Sequence, residues 1–187
     1  MAIQLVSYKA SFDLLRKELE QLTKFIEPVD ANVQAFSHRT YGLLLRICTD
    51  FESLAKELLV STSCSKGPDS MTIQDYRILE SSLHLETVEV EFLLWRPSPR
   101  RVLPFKDWST AQPPVRWYQD YNVVKHNREA EFSQASFCTV LDAMSGLFAM
   151  LAKASDFDWG DFCSWGNQDG KNSFWRAPFC MYWSDPS

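Results

Sequence analysis

The sequence predicts a mainly α-helical bundle with a small β-hairpin insertion and an irregular, Trp-rich C-terminal tail. Three observations lead there. Long stretches repeat apolar residues at steps of three and four, the spacing of one helical face. One segment, residues 86–106, switches to the alternation of a strand. Residues 156–187 leave both periods, with Trp159, Trp165, Trp175 and Trp183 separated by Gly, Asp, Asn and Ser.

Residues 4–26 place Leu5, Tyr8, Phe12, Leu15, Leu19, Leu22 and Phe25 or Ile26 on one stripe, with Lys9, Lys17, Glu18, Glu20 and Lys24 left to water. Pro28 closes that helix, because the residue before a proline avoids helical geometry. A second helix is expected from Asp30 to Ser61, its seam formed by Tyr41, Leu44, Cys48, Phe51, Ala55 and Leu58. Alternating steps of this kind suit a helix packed nearly antiparallel to its neighbours. Residues 61–70 hold Gly67 and Pro68 with few apolar groups and read as a loop. Thr72 to Leu83 reads as a short helix capped by Ser70 or Thr72.

From Glu86 to Trp95, Val88, Val90 and Phe92 alternate with Glu89, Glu91 and Leu93. Arg101 to Phe105 follows a proline-containing turn as the return strand, and its proline suits an edge position. After a connector, Trp108 to Pro114, helical spacing resumes over Val115–Ala130 and again over Phe132–Ala152. The tail reads as irregular or short-stranded cover over an apolar patch. No internal repeat appears, and one domain over residues 1–187 is expected.

At 187 residues, with 45% hydrophobic and 23% charged residues, the chain is long enough for a sizeable core. The net charge of −5 argues against generic coating of nucleic acid but leaves room for a local basic patch. No uninterrupted run approaches the ~18 apolar residues that span a bilayer. The first residues lack the charged start and compact apolar stretch of a signal peptide, so the cytosol is expected, with no membrane partner. The five cysteines form no close CxxC pair, so neither a zinc site nor a disulfide framework is indicated. Cys48 and Cys138 sit in apolar helical patterns and read as small buried hydrophobes.

The richest polar cluster is Trp117-Tyr-Gln-Asp-Tyr-Asn-Val-Val-Lys-His-Asn-Arg128. On a helix, Trp117, Tyr121 and Val124 share one face, while Gln119, Asn122 and His126 line the next stripe. Neutral His126 can accept a proton, and Asn122, Lys125 and Arg128 can hold a phosphate. These groups suit attack of a ribose hydroxyl on its neighbouring phosphate. The same spacing equally describes a bundle helix with aromatics in the core and solvated cations. His38 and His84 read as surface or hydrogen-bonding residues.

The string Tyr121-Asn122-x-x-Lys125-His126-x-Arg128, following a Trp and leading into a long apolar helix, resembles the HEPN (higher eukaryotes and prokaryotes nucleotide-binding) superfamily. Phe51-Glu52, within Cys48-Thr-Asp-Phe-Glu-Ser-Leu-Ala-Lys56, fits the same picture on the preceding long helix. The resemblance covers residues 36–62 and 108–152. It implies a bundle of about four or five helices that often dimerises, with members that cut RNA without metal as toxins or antiviral effectors. It also implies that His126 is the family's histidine, that Glu52 or Asp50 is its partner, and that Asn122 lines the same groove. The family's arginine precedes the histidine with four to six residues between. Those places hold Tyr121, Asp120 and Gln119 here, and the nearest upstream arginine is Arg116. Either Lys125 and Arg128 supply the charge, or the scaffold persists without the nuclease.

Two functions from different classes therefore stand. One is a HEPN-like metal-independent ribonuclease of bacterial defence or stress response, acting on RNA as a homodimer, with His126, Asn122 and Glu52 catalytic and Lys125 and Arg128 holding substrate. The other is a non-catalytic helical interaction or regulatory module that binds a protein partner through its aromatic residues. No cofactor or metal is expected. None of the 3 histidines has a Glu three places before it, and no phosphate loop or nucleophile elbow is present.

Overall fold

The computed structural model describes residues 5–62, 66–108, 115–155, 164–168 and 171–183, with the backbone course alone for 164–168 and 171–176. Four long helices form the body. They are α1 (Leu5–Leu22), α2 (His38–Ser61), α5 (Arg116–His126) and α7 (Phe137–Ala154). Short helices α3 (Ile73–Tyr76), α4 (Glu80–Leu83) and α6 (Arg128–Glu131) fill the connections. Five antiparallel strands complete the fold: β1 (Glu89–Phe92), β2 (Arg100–Val102), β3 (Ser164–Gln168), β4 (Lys171–Arg176) and β5 (Phe179–Trp183). The mainly helical architecture with a small β insertion is as the sequence predicts.

Helix α7 is the spine. Fourteen of its eighteen residues, from Phe137 to Ala152, are buried between α1, α2 and α5. It is also the one described helix long and apolar enough to cross a membrane, yet it lies 78% buried within the fold. Its apolarity therefore serves packing on several sides at once. Phe12 of α1 stacks on Phe148 of α7 with centroids 5.4 Å apart, and Phe148 meets Phe179 of β5 at 5.8 Å, joining bundle to sheet.

The sheet runs β2-β1-β5-β4-β3. Hairpin β1–β2 pairs Val90 with Val102, and β5 returns from the tail to pair Val90 with Met181 on the other edge of β1. The tail is thus strand rather than irregular cover over its described residues. Trp159 and Cys163 lie outside the described residues, and Cys180 is a free, buried thiol.

Several element boundaries differ from the periodic reading, each for a local reason. Helix α2 begins at His38 instead of Asp30, because Val29 and Phe36 bridge to Arg96 and Ser136 and hold the preceding chain outside the helix. Ser37 then caps α2, accepting from the Thr40 N–H at 3.2 Å while the Thr40 hydroxyl receives the Ser37 N–H at 2.7 Å. The single helix expected over Thr72–Leu83 is divided by the 3₁₀ turn Arg77–Leu79, and Thr72 starts it through Asp75. Asn127 leaves helical geometry (φ −138°, ψ 56°) and ends α5, and Ser136 caps a separate α7.

Candidate functional site

Helix α5 buries one face and exposes another. Trp117, Tyr118, Tyr121 and Val124 point into the core. Trp117 donates its indole N–H to the Pro104 carbonyl at 3.0 Å and meets Phe51 edge-on at 5.0 Å. Gly146 of α7 lies directly beneath it, where a Cβ would come within 2.8 Å of Trp117 Cζ2. Close approach of α5 to α7 therefore fixes which α5 residues remain available.

Those residues meet α2 across a cleft of about 320 Å³, lined by Glu52, Lys56, Tyr76, Tyr118, Asn122 and Lys125 among others. Tyr118 donates its hydroxyl to Glu52 Oε1 at 2.7 Å. Lys125 Nζ donates to the Tyr121 hydroxyl at 2.9 Å and stands 4.0 Å from Glu52 Oε1. Glu52 is thereby held between a neutral donor and a cation. Burial, followed by the neighbouring Glu52 carboxylate, pushes the Tyr118 hydroxyl far above its usual range, so it stays a proton donor. Tyr76 is pushed the same way, first by burial and then by Glu52. The Tyr121 hydrogen bond, then the charge of Glu52, raises Lys125, so the ammonium keeps its charge.

Three of the five sequence-predicted residues, Glu52, Asn122 and Lys125, therefore share one cleft. The other two do not join them. His126 is exposed at the end of α5 and does not line the cleft. Arg128 turns toward the start of α2, where its guanidinium lies 3.0 Å from His38 Nδ1 and over the Tyr41 ring. Of Glu52 and Asp50, Glu52 lines the cleft, whereas Asp50 accepts a hydrogen bond from Ser11 on the α1 side. Arg116 pairs with Asp120 at 2.9 Å one turn along its own helix.

Sequence reasoning passed over Tyr118, Tyr76 and Lys56 as cleft residues. Tyr118 carried a signal, since it neighbours Trp117 on the core face, but its hydroxyl direction depends on how α5 crosses α2. Among the described residues no three His, Cys, Asp or Glu side chains gather closely enough to hold a metal ion. Every tryptophan whose side chain is described, Trp95, Trp108, Trp117 and Trp183, is buried. Comparison of the chain with protein-family models, curated proteins and solved structures gives no match.

Proposed function

We propose that this chain is a HEPN-like protein of bacterial defence or stress response that cleaves RNA without a metal ion, as a homodimer. The supporting observation is the cleft in which Glu52 of α2 meets Asn122 and Lys125 of α5, with His126 exposed on the same helix. In this reading His126 takes the proton of a ribose 2′-hydroxyl as that oxygen attacks the adjacent phosphorus. The 5′-oxygen of the next nucleotide leaves with a proton, and a cyclic phosphate remains. Lys125 and Arg128 hold the phosphate oxygens, while Asn122 and Glu52 orient the strand. His126 and Arg128 stand outside the cleft of one protomer, so the site is completed by a second copy of α5 approaching the same face. The biological setting rests on the sequence resemblance, and burial of the described indoles gives the interaction-module reading no aromatic surface from them.

The test is RNA cleavage in EDTA by wild type beside His126→Ala, with mass measured by light scattering. Cleavage by a species of twice 21.6 kDa, lost in His126→Ala with helical circular dichroism unchanged, supports the reading. A drop of at least about 100-fold is expected for loss of an acid–base group. A folded dimer that leaves RNA intact overturns it.

A further inference from the structure

Where α5 ends, the chain builds a side-chain cluster separate from the Glu52 cleft. Asn127 leaves helical geometry, so Arg128 opens α6 instead of extending α5, and its side chain reaches the start of α2. There the guanidinium lies 4.9 Å from the centroid of the Tyr41 ring and 5.5 Å from that of Phe132. Its Nη2 stands 3.0 Å from His38 Nδ1. A guanidinium has no lone pair to offer, so Arg128 donates and the imidazole nitrogen accepts. Phe132 is itself fixed by its neighbours. The His38 and Tyr41 rings lie 5.0 and 5.6 Å from it, and Phe36 meets it edge-on at 5.7 Å.

Arg128 is nevertheless exposed, and among the described residues it forms no ion pair. Glu129 and Glu131 share α6 with it, and neither takes the charge. His38 takes one N–H of the planar fork, and the described residues supply no acceptor for the others. Aromatic faces attract a guanidinium without neutralising it, whereas a carboxylate would cancel its charge. Holding the fork still in advance also removes part of the ordering cost of binding an anion.

We propose that Tyr41, Phe132 and His38 are positioning residues for Arg128, holding its guanidinium in place and uncancelled on the exposed face where an RNA phosphate arrives. The inference rests on the RNA-cleavage reading, in which Arg128 holds the phosphate oxygens. It gives a role to His38 and to a ring cluster that the Glu52 cleft leaves unexplained.

The test is a double-mutant cycle on the full chain, Phe132→Leu against Arg128→Ala, read in two assays. One is cleavage of a single-stranded RNA. The other is binding of the same strand carrying 2′-O-methyl groups, which has no attacking hydroxyl. Arg128→Ala should weaken both kcat/KM and binding at least about tenfold. Phe132→Leu keeps an apolar side chain but removes the π face, and should weaken both about three- to tenfold. Phe132→Tyr restores the face and should stay within about twofold of wild type. With Arg128 already replaced by Ala, Phe132→Leu should change neither readout by more than about twofold, because no cation is left to place. Urea midpoints of the same proteins show how much of any loss follows stability. Losses that multiply in the double variant, or full activity in both Phe132→Leu and Tyr41→Leu, overturn the positioning role. Coupled losses in binding without any cleavage would sink the ribonuclease alone, and cleavage with multiplying losses would sink the positioning role alone. A chain that neither binds nor cuts the strand overturns both.

Discussion

Two glycines on long helices show opposite uses of a missing side chain. At Gly42 an added methyl group meets open space, whereas at Gly146 it meets the Trp117 ring at 2.8 Å. Gly146→Ala should therefore push α5 away from α7 and lower stability by about 1–3 kcal/mol, the usual range for an overfilled core. Urea unfolding would measure it, and an unchanged midpoint would show that the ring moves aside freely. At the same scale, Glu52 illustrates why a site residue is hard to complete from sequence. Its spacing from Phe51 marks a polar position beside a core one, but the Tyr118 hydroxyl that grips it comes from 66 residues away.

At the scale of elements, capping decides what periodicity leaves open. Apolar spacing alone carries α2 back to Asp30, but the Ser37–Thr40 exchange of hydrogen bonds sets its first turn at His38. Ser37→Ala should cost about 1 kcal/mol, read as a lower unfolding midpoint with little change in helical content. The β insertion is legible because Val88, Val90 and Phe92 alternate and are all fully buried. Glu91 on the opposite face is also nearly buried. It accepts from Arg101 at 2.7 Å and from the Tyr182 hydroxyl at 3.1 Å, one partner on each neighbouring strand. That third strand is invisible locally, since β5 follows β2 by some 75 residues and its run Phe-Cys-Met-Tyr-Trp shows no alternation.

Across the whole molecule, the hairpin and α7 meet around Asp142, which faces Arg100 and Cys138. Burial raises Asp142 from its usual 3.8 to about 6, with Arg100 opposing that shift. The folded chain therefore binds more protons than the unfolded one between those values, and stability falls as pH rises through that window. Keeping this carboxylate charged in its buried setting therefore costs folding about 2–3 kcal/mol at neutral pH. Asp142→Asn should raise stability by about 1–2 kcal/mol at pH 8 and leave it nearly unchanged at pH 3.5. Urea titrations across that range would show it, and parallel pH profiles for both proteins would refute it.

The sequence by itself determined the helical class, the buried stripes of α1, α2 and α7, the hairpin, and α5 as the polar helix. Each of these depends on residues within a few positions of one another, where backbone period and side-chain polarity act together. Only the tertiary structure decided that Glu52, Asn122 and Lys125 converge while His126 and Arg128 do not, and that the tail completes the sheet. Those outcomes depend on the crossing of α5 over α2 and α7 and on strand pairing across long separations, where packing volume rather than local spacing selects the contact.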